Sequence, residues 1–325
     1  GGGGGRLQGG GGAGGRGGGR RGSAGGGPPP PAMAGASRGA AILKREARVS
    51  QVEGAFCGPR GTAEARAVAA DLPALVALLC QPVPVGKLWQ GEVFVRRGFL
   101  GTSTLTLSMR TYGDAAMSGE VAVPCLEALK KAKSSSLNVR VNLPRAVGGQ
   151  RLGKVRQVRA SEGGGTRNQY VLYDGGANPK NARKSRGKAI RAAMGAGSVE
   201  SRTGKPLEIR GAFPNLATLD ASHMPLGTNL DYVHMLDNEV AAEGCTYLHN
   251  RAFGRSKEGR HSIKFEFTND RAKMSSAHNF VMAVPGEEGM ALQVGKLDNN
   301  RYSLDVGGPM SPLQAFFMCA IHLHN

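Results

Sequence analysis

The sequence predicts an all-β domain that closes into a barrel around one apolar helix near the C-terminus. From about residue 87 onward, apolar and polar residues alternate with a period of two, most clearly over residues 102–109 (T-S-T-L-T-L-S-M). That period is typical of strands with one buried face. After Pro309 the alternation stops, and Pro312–Leu323 is apolar on nearly every side of a helix, which indicates burial all round. In an otherwise all-β chain, the natural interior for such a helix is a closed barrel.

Residues 1–45 are rich in glycine, arginine and proline, and they predict a disordered leader. Such a composition cannot bury enough apolar surface to offset the conformational entropy that folding removes. Residues 14–22 resemble RGG-type segments that bind RNA through charge and guanidinium stacking, but no aromatic residue is interleaved among them. A flexible leader is the preferred interpretation, and a nucleic-acid-binding tail is the alternative.

Residues 46–80 predict a helical linker. Alanine recurs over residues 63–70, and a leucine-rich stretch follows over residues 72–79, interrupted by Pro73. Residues 71–75 (D-L-P-A-L) resemble the start of an F-box, but the strand pattern begins too soon afterwards for a complete one. A docking helix is the other interpretation of this stretch.

The barrel domain is expected over residues 81–325. Short β-type runs recur through it, with polar turns at residues 112–114, 174–176 and 298–300. Regularly spaced short strands with such turns predict an all-β barrel or sandwich. Beyond the strands near residues 93–109, the predicted runs are residues 137–141, 169–173, 206–209, 246–248, 262–267, 279–284, 291–294 and 301–306.

The C-terminal helix has a clear start signal. Ser311 is suited to the N-cap and Pro312 to the first helical position, where its missing N–H costs nothing. At about 1.5 Å per residue the helix is about 20 Å long, which is short for a bilayer span. Enclosure in the barrel is therefore preferred over insertion into a membrane.

Catalytic and metal-binding motifs are missing from the sequence. The five cysteines and seven histidines are dispersed, and no C-x-x-C pair occurs, so neither a disulfide framework nor a zinc site is predicted. No nucleophile elbow, Ser-His-Asp order or Walker loop appears. We therefore predict a cytoplasmic protein that is not an enzyme and has no cofactor and no metal.

The positive charge is unevenly distributed. The formal net charge is +18, and residues 81–210 alone hold 23 basic against eight acidic residues. Residues 211–325 hold nine basic and twelve acidic residues. Such a polarised field favours an anionic partner, either nucleic acid or the negative inner face of a membrane. A basic surface that serves only solubility is the other interpretation.

Several segments resemble the tubby-like protein family. The most specific is the C-terminal block, which is similar to the family's pattern LQFGK, FTMDY, PLSxxQAF that leads into a central helix. Weaker similarities keep the same order along the chain. The matching segments are residues 81–82, 96–97, 153–156 (G-K-V-R), 170–174 (Y-V-L-Y-D), 271–280, 292–296 (L-Q-V-G-K), 301–305 (R-Y-S-L-D) and 309–316 (P-M-S-P-L-Q-A-F).

The resemblance implies a closed twelve-stranded β-barrel threaded by the C-terminal hydrophobic helix. It also implies binding of phosphoinositides, chiefly phosphatidylinositol 4,5-bisphosphate, at the plasma membrane. In the family a basic cluster on one strand and the arginine of a G-K-L-R motif hold the lipid head group. The matching residues here are Lys130, Lys131, Lys133 and Arg156. Clustered lysine and arginine side chains suit phosphate groups, with which they form charge-assisted hydrogen bonds.

Further basic residues are assigned as additional anion contacts. Lys154 precedes Arg156 on the same expected strand, and we expect the two side chains to point away from each other. Residues 180–205 form a basic insert loop that includes Lys184 and Arg186. This loop adds contacts to a membrane or nucleic acid, or it is a solvated linker.

The sequence is compatible with three functions. The preferred one is a phosphoinositide-binding module, a monomer attached peripherally to the plasma membrane as an adaptor in signalling or trafficking. The second is a nucleic-acid-associated or transcription-linked protein that uses the Gly/Arg-rich tail and the basic insert, with access to the nucleus. The third is a ubiquitin-ligase adaptor with a degenerate F-box.

Overall fold

The computed structural model describes residues 56–111, 123–130, 138–159, 166–174, 176, 192–201, 207–214, 229–251, 254–255, 261–262 and 272–324. The predicted leader over residues 1–45 lies outside these ranges, and so does the basic part of the predicted insert, residues 180–191.

Twelve antiparallel strands close into a barrel, as the sequence predicted. Each barrel strand pairs with the next barrel strand along the chain, and the first strand closes the ring by pairing with both the second and the last. The barrel strands are β1 Leu88–Arg97, β2 Ser103–Met109, β3 Val123–Lys130, β4 Asn138–Asn142, β5 Arg151–Arg159, β6 Thr166–Asp174, β7 Ala193–Ser201, β8 Glu208–Pro214, β9 Cys245–Asn250, β12 Phe280–Ala283, β13 Leu292–Lys296 and β14 Arg301–Gly307. A separate two-stranded sheet pairs β10 Gly254–Arg255 with β11 His261–Ser262.

In the described part of the chain, four α-helices accompany the strands, and one of them fills the barrel. They are α1 Gly61–Ala70, α2 Leu72–Cys80, α3 Asn229–Asn238 and α4 Pro312–Leu323. Every residue of α4 from Pro312 to His322 is buried, which confirms the predicted central helix. Its start is a capping box: the Gln314 N–H donates to Ser311 Oγ at 3.3 Å, and the Ser311 N–H donates to Gln314 Oε1 at 2.9 Å. Among the described residues, no helix is long and apolar enough to cross a bilayer.

Strand β7 lies within the range that the sequence analysis assigned to an insert loop. The prediction of a loop over residues 180–205 is therefore wrong for Ala193–Ser201. Strand β7 was not predicted because it contains glycine, which has a low strand propensity. The structure supplies the reason for one of these glycines: a Cβ on Gly197 would lie 2.6 Å from Ile321 Cδ1 of α4. The absent side chain allows the strand to approach the central helix closely.

Helices α1 and α2 belong to the barrel's core. The sequence predicted a helical linker here, and the two helices do lie within residues 46–80. However, Ala65, Leu75 and Leu79 are fully buried in the same apolar cluster as α4. Helix α2 contacts α4, and α1 contacts β3. The segment is therefore part of the folded unit, whose boundary lies before residue 81.

Helix α3 covers part of the outside of the barrel. It packs on β6, β7 and β8, and it forms a second apolar cluster with outward side chains such as Val171 and Tyr173. Tyr232 and Leu236 of the helix are buried in this cluster. Helix α3 was not predicted from the sequence. It covers the outer face of these three strands.

Substitution of Phe316 by aspartate should prevent cooperative folding. Phe316 is fully buried on α4, and the barrel would enclose an unpaired carboxylate. Chemical denaturation followed by circular dichroism should show no cooperative transition. The milder Phe316→Ala should lower the free energy of unfolding by about 3–5 kcal/mol. Val85→Asp, at a position that is 92% exposed, is the control and should keep the wild-type midpoint. A Phe316→Asp protein with that midpoint would contradict the enclosed helix.

His322 makes the barrel sensitive to acid. Its ring centroid lies 4.8 Å from that of Phe280 and 5.1 Å from that of His278. Burial, and secondly the nearby His278, lower the pKa of His322 to about 3. In the unfolded chain a histidine titrates at about 6.5. Between these two values the unfolded chain binds more protons than the folded protein, so the free energy of unfolding decreases as the pH falls.

The slope of stability against pH measures this effect. Below pH 6, His322 should contribute a loss of up to about 1.4 kcal/mol per pH unit. His322→Phe should remove that contribution, and urea titrations between pH 7.5 and 4.5 would show a shallower slope. His234→Phe, at an exposed position of α3, controls for the loss of a histidine. Equal slopes for His322→Phe and the wild type would contradict the assignment.

Candidate functional site

The predicted site residues divide into two groups. Lys130, Lys154 and Arg156 are described. Lys131, Lys133, Lys184 and Arg186 lie outside the described residues, so their roles stay predictions.

Lys130 is the last residue of β3, and its side chain faces the barrel interior. In the strand register it lies opposite Val139 of β4, which is fully buried in the core. Residues that are directly opposite in an antiparallel pair share one face of the sheet. Lys130 Nζ donates a hydrogen bond to the carbonyl oxygen of His324 at 3.2 Å. The ammonium therefore lies at the end of α4 rather than on the outside of the barrel.

A β-bulge in β3 sets this orientation. Cys125 has no partner in the register with β2, so β3 carries one extra residue at that point. An extra residue shifts the alternation of inner and outer side chains beyond it. Ala128 and Lys130 consequently face inward, and Leu129 faces outward. Uninterrupted alternation from the buried Val123 would have placed Lys130 on the outer face of the barrel.

The end of α4 benefits from this cation. The last carbonyl groups of a helix carry partial negative charge, which a positive group in the last turn stabilises. His324 is bonded on its other side, because its Nδ1 lies 2.8 Å from Ser103 Oγ. Burial, and secondly the charge of Lys130, lower the pKa of His324 to about 4. This histidine is therefore neutral near pH 7, and Lys130 is the positive group at the helix end.

Three cations share the outer face of β4 and β5. Arg140 lies directly opposite Lys154 in the register, between the buried residues Val139 and Val141. Because Val139 and Val141 face the core, Arg140 faces outward. Arg156 follows Lys154 by two residues and lies opposite Val171, whose side chain packs in the outer cluster beneath α3.

Lys154 and Arg156 therefore lie on the same side of the sheet. The expectation that their side chains point away from each other is wrong, because side chains two residues apart in a strand share a face. The register of β5 with β6 is continuous from Gly153 to Gln157, so no bulge separates them. We refer to Arg140, Lys154 and Arg156 as the β4–β5 cationic cluster.

Two members of the β4–β5 cationic cluster have groups without a partner in the described part of the chain. Arg140 is exposed and has no hydrogen bond or ion pair with a described residue, and Glu127, diagonal to it, forms no ion pair with it. The Nε of Arg156 is buried without a hydrogen-bond partner in the described part of the chain. A buried donor without a partner costs free energy. A bound anion would relieve that cost at Arg156 and would also be attracted by the exposed Arg140.

The chemistry of the cluster suits a ligand with several phosphate groups. Guanidinium groups bind phosphate oxygens in pairs, and an ammonium adds a point charge. Strands lie about 4.8 Å apart, so neighbouring side chains on β4 and β5 can reach one ligand. Across the described ranges, no group of three His, Cys, Asp or Glu side chains could hold a metal ion.

Arg140 was missed by the sequence analysis. Its signal is the alternation N-V-R-V-N over Asn138–Asn142, in which two valines face inward and the arginine outward. The pairing of Arg140 with Lys154 could not be derived from that pattern, because register depends on which residues of the two strands meet.

Lys130→Met should lower stability while leaving the outer face unchanged. Removing a cation from a helix C-terminus should reduce the free energy of unfolding by about 1 kcal/mol, measured by urea denaturation at pH 7. Lys273→Met, at an exposed position, is the matched control and should have almost no effect. If Lys130→Met unfolds like the control, the inward role of Lys130 is refuted.

Residues 152–325 match the model of the Tub family, which is more than half of the chain. The matched range runs from β5 to the end of α4 and includes Lys154 and Arg156, while β1–β4 and Arg140 precede it. The search of curated proteins found no match. The resemblance to tubby-like proteins is confirmed, and the chain belongs to the Tub family.

Proposed function

We propose that the protein is a non-enzymatic phosphoinositide-binding module that attaches peripherally to the inner face of the plasma membrane. The observation that carries the proposal is the β4–β5 cationic cluster. Arg140 opposes Lys154, and the buried Nε of Arg156 has no partner among the described residues. Membership of the Tub family supports the choice of ligand class, because tubby-like domains are associated with phosphoinositides.

A phosphoinositide head group meets the requirements of this cluster. It carries several negative charges close together, so it can neutralise two opposed cations and accept a hydrogen bond from the Arg156 guanidinium. Each basic residue near an anionic leaflet contributes about 1 kcal/mol of attraction. The proposed ligand is phosphatidylinositol 4,5-bisphosphate or a related phosphoinositide, with Lys131 and Lys133 as further contacts. The proposed role is that of a monomeric adaptor in signalling or trafficking.

The alternative functions have less support. The nucleic-acid hypothesis depends on the Gly/Arg-rich tail and on the basic residues 180–191, all outside the described residues. The F-box hypothesis depends on residues 71–75. In the structure Asp71 Oδ1 accepts a hydrogen bond from the Ala74 N–H at 3.3 Å, and Leu75 is fully buried. These residues start α2 and anchor it to the core, which accounts for the D-L-P-A-L pattern.

The test removes the three charges of the cluster together. Arg140→Ala/Lys154→Ala/Arg156→Ala should weaken binding to phosphatidylcholine vesicles that contain 5% phosphatidylinositol 4,5-bisphosphate at least tenfold, measured by flotation. The three changes remove about 3 kcal/mol of electrostatic attraction, from which tenfold is a conservative expectation. Urea denaturation of the triple variant should show a folded protein.

A matched control separates a site from general charge. Arg60→Ala/Arg66→Ala/Arg145→Ala removes the same charge from exposed positions elsewhere on the domain. Binding of this control should fall less than threefold at 0.15 M salt, where distant surface charges are largely screened. Equal losses for both triple variants would mean that only net charge matters. Undiminished capture of the cluster variant would refute the assigned site.

A further inference from the structure

We propose that the loop between β1 and β2 is a second membrane contact, which inserts Phe99 into the apolar part of the bilayer beside the bound head group. The proposal rests on the proposed function, and it names a lipid bilayer with anionic head groups as the occupant of this surface. It assigns to the barrel an apolar anchor in addition to the cationic cluster.

The loop presents Phe99 to solvent on a fixed turn. Phe99–Gly101 forms one turn of 3₁₀-helix, and Phe99 is 86% exposed. The Gly98 N–H donates to the Thr102 carbonyl oxygen at 2.9 Å, and Thr102 Oγ1 donates to the Phe99 carbonyl oxygen at 2.9 Å. A Cβ on Gly98 would lie 2.3 Å from Thr102 Oγ1. Because the turn is held by its own hydrogen bonds, insertion would require little further ordering of the backbone.

Phe99 belongs to one end of the barrel, which we call the C-terminal rim because α4 ends there. The rim is identified by contacts: Ser103, at the start of β2, bonds to His324, and Lys130, at the end of β3, bonds to the same residue. A single exposed aromatic side chain is common on protein surfaces. The C-terminal rim also exposes Val158 of β5 and Met274, whose N–H donates to the carbonyl oxygen of Lys296 at the end of β13.

Cations lie at the same rim as the exposed aromatic side chain. Arg96 and Arg97 end β1 directly before the loop, and Lys273 precedes Met274; all three are exposed. The ion pairs among the described residues involve other side chains. An exposed aromatic side chain at a rim that carries cations is suited to a membrane interface, where the ring enters the acyl boundary and the cations meet anionic head groups. A protein partner would need an acidic rim around an apolar pocket, and the bilayer requires no such matched pocket.

The strand register connects the loop to the β4–β5 cationic cluster. Arg96 lies opposite Thr104, Thr104 opposite Leu129, and Leu129 opposite Arg140. This row runs across the outer face of β1–β4. At about 4.8 Å per strand, the Cα atoms of Arg96 and Arg140 are separated by about 14 Å along the sheet. The loop and the cluster are therefore close enough on the barrel to contribute to one membrane-binding surface.

The other end of the barrel offers a matched control. Val85 is 92% exposed, and it precedes Leu88, the first residue of β1. A Cβ on Gly308, close to the start of α4, would lie 3.2 Å from the Val85 nitrogen. Val85 is therefore as exposed as Phe99 and lies at the opposite end of β1, which at about 3.3 Å per residue is about 30 Å long.

The insertion is tested with a tryptophan placed at either end of β1. Phe99→Trp and Val85→Trp are bound to vesicles of phosphatidylcholine with brominated acyl chains and 5% phosphatidylinositol 4,5-bisphosphate. Bromine quenches only an indole that reaches the acyl region. Trp89, the single native tryptophan, is fully buried, so the wild-type protein supplies the background. We expect quenching for Phe99→Trp well above background, and background quenching for Val85→Trp.

Affinity supplies an independent measure. Phe99→Ser should weaken vesicle binding about tenfold, since transfer of a phenylalanine side chain into an apolar phase is favourable by an amount of that order. The same variant should bind soluble inositol 1,4,5-trisphosphate as tightly as the wild type does, because that ligand has no acyl chains. Val85→Ser should leave both affinities unchanged.

The outcomes separate the two proposals. A Phe99→Trp protein that floats with the vesicles but is not quenched overturns the insertion and leaves head-group binding intact. Equal vesicle affinities of Phe99→Ser and Val85→Ser also overturn it. If the wild type binds neither the vesicles nor inositol trisphosphate, the proposed function fails, and the insertion that rests on it fails too.

Discussion

The enclosure of a helix that is apolar on nearly every side is the constraint on which the rest of this structure depends. Helix α4 has no polar face, so water must be excluded from every side of it, and a closed ring of strands achieves that. The enclosure explains details that otherwise look unrelated. Gly197 has no side chain because Ile321 occupies the space, and Ser311 and Gln314 satisfy each other's backbone groups at the buried helix start. Lys130 supplies positive charge at the other end.

Because the inner faces of the strands are filled by the core, the proposed ligand-binding surface lies on the outside of the barrel. In a strand whose alternate side chains fill the core, the remaining side chains are free to vary. Helix α3 packs on the outer face of β6–β8, and the β4–β5 cationic cluster lies on the outer face of neighbouring strands. There the buried Nε of Arg156 has no partner in the described part of the chain. Such a donor, in a fold that is otherwise well packed, agrees with the proposed binding surface.

The two proposed membrane contacts depend on different physics. Attraction between the β4–β5 cationic cluster and phosphate groups is electrostatic and weakens with salt. Insertion of an aromatic side chain is driven by the removal of apolar surface from water and depends little on salt. A bilayer that contains the right head group satisfies both, whereas a free inositol phosphate or a neutral membrane satisfies only one. Joined on a rigid barrel, two modest contacts would reinforce each other through effective concentration.

The sequence alone determined the class of fold, the central helix and the family. Period-two alternation, the Ser311–Pro312 start and the C-terminal motif are local signals that persist in the folded protein. Helices α1 and α2 were predicted as helices but not as core, because their partners lie far away in the chain. Strand β7 was missed because glycine has a low strand propensity, whereas Gly197 is required by the close approach of α4.

Only the tertiary structure decided which cations belong together. The bulge at Cys125 turns Lys130 inward, and the register of β4 with β5 brings Arg140 opposite Lys154. A sequence pattern gives the spacing of side chains along one strand. The face that a residue occupies and the neighbour that it meets depend on pairing between strands. A shift of one residue in the strand register would reverse every inward and outward assignment. Such a shift cannot be recognised from the sequence of one strand alone.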